Sequence, residues 1–558
     1  MVEKTRAAIL AQLTAAEQPF ELVPGHVFGR ACLRFKNAPA TLRNLFADAR
    51  SDAPFIVYGN ERLSFAETYA AAARVAHVLV NDYNIQRGDR VAISMRNYPE
   101  WILSFMAVTA VGGIAVAMNA LWRPDEMAFG LTDSGAKVLI ADQERLDRFA
   151  DIDKALDLQV IAVRPENTTY PKLTELMSAY ADVTEMPEQA PEPEDDATLM
   201  YTSGSTGNPK GVASCHINII SALMSWELDQ TTAIALLPEP PPEPAHPPAT
   251  LLAVPLFHAT GSHAVFLASY RHQRKLVSMY KWDPAEAAAL IEAEQITGFI
   301  APAAMTGDLV LEANRSNRDL SSLLSVGGGG APRAPDQVRN IEQSFTKAMP
   351  GTGWGMTETN AIGTGIGGQD YLDRPASSGR CSAVLELKIV DDDGNECPTL
   401  TSGELLVRGT SIFRGYWNRP DANAETFVNG DWMRTGDVAY LDAEGFLFIV
   451  DRIKDLVIRG GENIGCGEVE AALLEHPSVH EASVYAVPDE RLGEEVGTTL
   501  YTERQLSNEE LQEFLAERLA KFKIPTYVWQ QQEPLPRTAS GKILKRELRE
   551  QAQARVSS

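Results

Sequence analysis

Tyr201-Thr202-Ser203-Gly204-Ser205-Thr206-Gly207-Asn208-Pro209-Lys210-Gly211-Val212 is the most informative stretch of this 558-residue chain. It sets three glycines, five hydroxyls and a lysine in a loop that follows an apolar strand. Small residues let the backbone close around a phosphate, hydroxyls and amides donate to its oxygens, and a lysine offsets its charge. The Gly-x-x-x-x-Gly-Lys-Ser/Thr order of the usual P-loop is absent. The stretch therefore reads as a phosphate loop of another kind, set on an α/β sheet.

The chain on either side fits that reading. From about residue 60, short apolar runs alternate with amphipathic stretches: 89–95, 113–119, 137–142 and 158–163 are strand-like. The pattern resumes at 250–256, 296–301 and 322–328. Such alternation marks parallel sheets covered by helices. Trp101 to Trp122 holds no charged residue and is long enough to span a bilayer. Its polar residues and the Gly112-Gly113 pair instead predict a buried helix to about Val111, a turn, and a strand over 114–118. Two proline-rich acidic segments, 187–196 and 238–248, read as exposed connections. After Arg380 short strands and turns take over. After Asp451-Arg452-Ile453-Lys454-Asp455 comes a different unit, with a helix from about Asn508 that has capping-box spacing at Ser507 and Glu510. Leu511, Phe514, Leu515 and Leu519 line one face of that helix.

The length calls for two or more domains. Hydrophobic content of 44% with 22% charged residues describes a globular chain, and the net charge of −25 argues against nucleic acid and anionic membranes as partners. Cys32, Cys215, Cys381, Cys397 and Cys466 form no Cys-x-x-Cys pair, which fits a reducing cytoplasm rather than a disulfide framework. The N-terminal residues show no apolar signal core, and no transmembrane segment is expected.

Further segments follow in a defined order: Gly328-Gly329-Gly330-Ala331-Pro332, Gly353-Trp354-Gly355-Met356-Thr357-Glu358, Thr435-Gly436-Asp437, Asp451-Arg452, Gly460-Gly461-Glu462-Asn463-Ile464, and Pro536-Arg537-Thr538-Ala539-Ser540-Gly541-Lys542. Together with the phosphate loop they resemble the adenylate-forming superfamily, on its acyl-CoA synthetase and fatty-acid–CoA ligase branch, over roughly residues 50–550. The resemblance implies a large N-terminal domain of stacked α/β sheets with a small β-barrel-like subdomain (1–453). A small mobile α+β C-terminal domain (454–558) would carry the catalytic lysine.

The implied activity is ligation of a carboxylic acid to coenzyme A with ATP and Mg2+. It would run through an acyl-adenylate and release pyrophosphate and AMP. A carboxylate attacking a phosphate brings two anions together, so a cation, a lysine and oriented amides must offset their repulsion. The resemblance assigns Lys542 to that transition state, Thr357 to the α-phosphate and Glu358 to magnesium. Thr202, Ser203, Gly204, Ser205, Thr206, Gly207 and Lys210 would hold phosphates. Gly329, Gly330, Ala331, Pro332, Gly353, Trp354, Gly355 and Met356 would line the nucleotide, and Asp437 and Arg452 the ribose. Lys210 either assists pyrophosphate from a mobile loop or is solvated. Lys454 would be the hinge residue of a domain rotation, and Gly460, Gly461 and Glu462 would face the coenzyme A tunnel.

His258 reads either as a gate to the acyl pocket or as a core histidine, and Trp354 either as a pocket wall or as packing. Gly465-Cys466 replaces the usual aromatic or serine followed by proline, which loosens that loop. Cys466 itself reads as inert. The acid is expected to be a medium- or long-chain fatty acid, because 254–269 and 298–310 are apolar and hold no arginine or lysine for a second carboxylate. Aryl acids, a carrier-protein thiol acceptor, lactone closure and a non-catalytic nucleotide-binding regulator are the alternatives. A homodimer is left open.

Overall fold

The computed structural model describes residues 5–152, 156, 158–202, 209–239, 241–329, 333–460, 462–538 and 542–556. A seven-stranded sheet runs in the order Gly415–Tyr416, Lys210–Cys215, Asp196–Thr202, Ile114–Ala117, Arg90–Ser94, Val138–Asp142 and Gln159–Val163. Its last five members are parallel neighbours, and Lys210–Cys215 returns antiparallel to Asp196–Thr202. The 14-stranded sheet has a parallel centre formed by Met349–Thr352, Ser325–Gly327, Gly298–Ile300, Ala249–Leu252, Lys275–Ser278 and Pro54–Tyr58. It continues into antiparallel strands that include Phe446–Arg452, Trp432–Leu441, Gly403–Gly409 and Leu385–Val390, the small β-rich part expected after Arg380.

The apolar run at 101–122 folds as the sequence predicts. Pro99 starts a helix over Pro99–Ala110, the chain turns at Gly112 with φ +78°, and Ile114–Ala117 enters the seven-stranded sheet. Trp101, Phe105 and Met106 are wholly buried in the core shared by the two sheets. Asn97, just before that helix, ties the sheets together. Its side chain donates to Val254 O at 3.0 Å and accepts from Leu256 N at 3.0 Å, and its carbonyl accepts from Ser278 Oγ at 2.8 Å. These bonds fix the segment that leads to His258. Among the described residues no helix is long and apolar enough to cross a membrane.

The C-terminal domain is built on a five-stranded sheet: Glu462–Ile464, Val457–Arg459, Gly493–Thr502 and Val479–Asp489, with Tyr527–Gln531 pairing parallel to Gly493–Thr502. Leu511, Leu515 and Leu519 pack its core with Phe514 at the margin. The helix Asn508–Ala516 is capped by Ser507, whose side chain accepts from Glu510 N, but Glu510 itself pairs with Arg504 in place of closing the box.

Two further expectations change. The 187–196 connection is partly exposed and partly pinned: Glu188, Ala190, Glu192 and Glu194 face solvent, but Pro187 and Pro191 are buried and Gln189 Nε2 donates to Val111 O at 2.6 Å. The loop at Gly465-Cys466 is tied rather than loosened. The Cys466 N–H, which a proline would lack, donates to Asp451, and its thiol donates to Asp455 O at 3.0 Å. The buried thiol is pushed well above its ordinary range, as an inert cysteine requires. In contrast, 238–248 is largely exposed along its described residues.

Candidate functional site

In open α/β sheets ligands usually sit outside the carboxyl ends of the strands, and Thr202 and Thr352 are the last residues of Asp196–Thr202 and Met349–Thr352. Thr202 and Lys210 face each other across the hairpin Asp196–Thr202 and Lys210–Cys215. Ser203, Gly204, Ser205, Thr206 and Gly207 lie outside the described residues, as do Gly330, Ala331, Pro332 and Gly461. Lys210, expected on a mobile loop, is the first residue of a strand, with its ammonium 4.9 Å from the centre of the Tyr416 ring. Cross-strand pairing of Val212 with Tyr416 sets that contact.

Tyr416 links the lysine to Glu358. Its hydroxyl donates to Glu358 Oε1 at 2.8 Å. Glu358 is 6% exposed and makes no ion pair among the described residues. Burial raises its pKa, while its own backbone N–H and Tyr416 act the other way. The turn Thr357–Thr359 holds it, followed by Asn360 and Ala361 at φ +58° and +65°. Phe413 N donates to the Glu358 carbonyl at 2.9 Å. The preceding Gly355 admits no side chain, since a Cβ would stand 2.5 Å from Ala361 O. Thr357 is half-buried beside Glu358, and Gly353 leads into the same turn.

Trp354 and Asp437 form a second buried pair. The indole Nε1 donates to Asp437 Oδ2 at 2.7 Å, and Arg452 Nε reaches Asp437 Oδ1 at 3.1 Å. Asp437 and Arg452 are register partners on Trp432–Leu441 and Phe446–Arg452, which places the arginine beside the carboxylate. Burial raises the Asp437 pKa, and Arg452 and Trp354 oppose the rise. Trp354 packs in the core and also holds the Asp437 carboxylate.

Lys542, an exposed residue of the C-terminal domain, lies within electrostatic range of this group. Its loop is closed by Thr538 N donating to Lys542 O at 2.7 Å. Partial desolvation and Arg452 hold its ammonium below its ordinary value, while Asp437 and Glu358 pull it back up. His258 feels the same charge. Burial and Lys542 push its pKa down to about 4, so it is neutral at pH 7. Lys454 is exposed, and its ammonium is lowered by desolvation and Arg452 and raised by Asp455 and Asp437. Contacts thus join Lys210 to Tyr416 and Glu358, and Trp354 to Asp437 and Arg452, while the charges of Lys454 and Lys542 act on Asp437 and that of Lys542 acts on His258. Gly460 N donates to Leu492 O at 2.8 Å, and Glu462 lies exposed in a short strand. Tyr416 is the residue that sequence reasoning missed, because its role depends on a strand pairing with no local signal.

Residues 45–417 match the family model for AMP-binding enzymes, and residues 468–542 match that for the AMP-binding enzyme C-terminal domain. A 2-succinylbenzoate–CoA ligase from Bacillus velezensis is 33% identical over 510 residues, covering 90% of this chain and 96% of that protein. The long-chain-fatty-acid–CoA ligase FadD13 of Mycobacterium tuberculosis is 32% identical over 510 residues, covering 89% and 94%. The solved structure of o-succinylbenzoate coenzyme A synthetase (MenE) from Bacillus subtilis with ATP and magnesium is 30% identical and superposes with a TM-score of 0.76, covering 91% of this chain and 99% of that one.

Proposed function

The chain belongs to the AMP-binding enzyme family, and from that premise we propose how its site makes an acyl-CoA. It is an AMP-forming acid–thiol ligase that uses ATP, magnesium and coenzyme A. The observation that carries the site assignment is the pair of buried carboxylates, Glu358 held by Tyr416 and Asp437 held by Trp354 and Arg452, with Lys542 within electrostatic range of both. A lysine on a loop of the C-terminal domain feels the charges of Glu358, Asp437 and Arg452 and is felt by His258, all in the N-terminal domain.

In this reading the acid carboxylate lies between His258 and the Lys542 ammonium, which also meets the α-phosphate oxygens as the acyl-adenylate forms. A neutral His258 offers the entering acid no competing charge. Asp437 accepts from the ribose hydroxyls while Trp354 and Arg452 hold its carboxylate in place. Thr357 donates to the α-phosphate, and Lys210 and the 203–208 loop hold the outgoing pyrophosphate. Glu358 suits a magnesium ion: it is a buried carboxylate with no cationic partner, oriented by Tyr416, in a site with no cluster of three or more ligating side chains among the described residues. A hard cation carried mostly by phosphate oxygens and water needs one such carboxylate. When bound, it neutralises charge on the phosphates.

We divide the chain at Lys454, between the strands Phe446–Arg452 and Val457–Arg459. Rotation there would withdraw Lys542 and bring Gly460, Gly461 and Glu462 to the acyl-adenylate for attack by the thiol of coenzyme A. The apolar walls at 254–269 and 298–310 suit an acid with an apolar body. FadD13 supports a fatty acid, and the 2-succinylbenzoate ligases support an aryl acid. Release of pyrophosphate and AMP with MgATP, over fatty and aryl acids with and without coenzyme A, tests the reading. Coenzyme A-dependent AMP release is expected. Pyrophosphate release indifferent to coenzyme A would move the acceptor to a carrier thiol or a lactone closure, and no pyrophosphate with any acid would remove the activity.

A further inference from the structure

Arg333 is a buried cation for which the reaction described above has no use. It is 8% exposed and forms no ion pair among the described residues. Its partners are neutral. Nη2 donates to Thr306 Oγ1 at 3.0 Å, Nη1 reaches Gly351 O at 3.4 Å, and the Tyr371 side chain bonds it as well. Nε is buried with no partner among the described residues. A guanidinium taken out of water without a counter-charge is among the costlier arrangements a core can hold, and its fork matches a carboxylate.

The position gives the charge a purpose. Thr306 lies on the helix Ala303–Arg315, which follows the strand Gly298–Ile300. Gly328 directly follows Ser325–Gly327, and Gly351 belongs to Met349–Thr352. These are three adjacent parallel strands of one sheet. Their carboxyl ends also carry Gly329 and the turn from Gly353 to Glu358. The guanidinium stands where a side chain on Gly328 would stand, since a Cβ there would lie 2.6 Å from Nη2. Arg333 thus sits directly behind the loop and turn that flank the adenylate site, among residues of the apolar wall at 298–310. The wall itself holds no cation; this one lies outside it in the sequence, at Arg333.

We propose that Arg333 receives a second, remote anionic group of the acid, so that the substrate is a dicarboxylate or its equivalent and not a simple long-chain fatty acid. The inference rests on the ligase reading and deepens it. One carboxylate is activated near Lys542 and His258, and the other supplies the counter-charge that Arg333 lacks. Nε, without a partner among the described residues, and Nη2 form the edge that a carboxylate engages side-on.

The test uses symmetrical dicarboxylic acids, aliphatic and aromatic, each paired with its monomethyl ester. Coenzyme A-dependent AMP release is measured for the full-length wild type, Arg333→Met and Arg333→Lys. The wild type should prefer at least one diacid over its half-ester by roughly 100-fold in kcat/KM. That ratio should collapse toward one in Arg333→Met and fall partway in Arg333→Lys, which keeps the charge and loses the fork. Thermal-shift titration of the same diacid against wild type and both variants reads binding without turnover. Arg333-dependent binding without thioester formation would keep the inference and sink the ligase reading. Equal handling of every diacid and its half-ester by the wild type, or a preference that survives both substitutions, would overturn the inference.

Discussion

Trp354→Phe probes the site with a ring of similar character and no indole N–H. In the wild type that N–H donates to Asp437 Oδ2 at 2.7 Å, between residues 83 positions apart, at a carboxylate only 4% exposed. A hydrogen bond to a buried charged group contributes about 1.5–3 kcal/mol net. Its loss should weaken ATP and AMP by roughly 10- to 150-fold, provided that Asp437 holds the ribose. The pH dependence gives an independent reading. Burial already raises the Asp437 pKa, and Trp354 is one of the groups holding it down. Without the donor the pKa rises further. Asp437 accepts from ribose as the carboxylate, so the acid limb of kcat/KM for ATP should move to higher pH. The assay is a pH profile of kcat/KM for ATP beside calorimetric titration of AMP and thermal unfolding of both proteins. A lower melting temperature with unchanged AMP affinity and an unmoved acid limb would mean that Trp354 only packs, and the reasoning would fail.

Lys542→Met should suppress adenylation far more than thioester formation from supplied acyl-adenylate; equal losses in both steps would refute its assignment to the first. The same variant should raise the His258 pKa from about 4, because Lys542 is one of its depressing charges, and imidazole titration by NMR would expose a loop that does not sit there in solution. A third expectation concerns Asp229, whose carboxylate accepts from Ser382 Oγ at 2.5 Å and Arg6 Nη2 at 3.3 Å. Burial raises its pKa from 3.8 to about 6. The fold thus favours the neutral acid. That stability is fully present below the unfolded pKa and is lost as pH rises through about 6, on the order of 2–3 kcal/mol. Asp229→Asn should remove this part of the pH dependence in denaturant unfolding, and parallel pH slopes for the two proteins would disprove it.

The sequence by itself determined what short spacing encodes. The alternation of apolar runs specified the parallel sheets, and Gly112 turned a membrane-length run into a helix and a strand because a glycine turn interrupts it. Glycine- and hydroxyl-rich stretches pointed to phosphate chemistry, and Lys542, Glu358 and Asp437 could be proposed because each sits in a local motif. Tertiary structure alone decided what these residues touch. Tyr416 meets Glu358 across 58 positions, and Trp354 meets Asp437 across 83, through strand pairings that no local pattern records. The Cys466 amide reached Asp451 where sequence reasoning expected a loosened loop, because a missing proline leaves a donor whose acceptor lies 15 positions away. Arg333 belonged to no apolar segment, and its position behind Gly328 follows only from three strand ends that converge in space. Local chemistry is written along the chain, whereas the burial of a charge and the identity of its partner are properties of the packed whole.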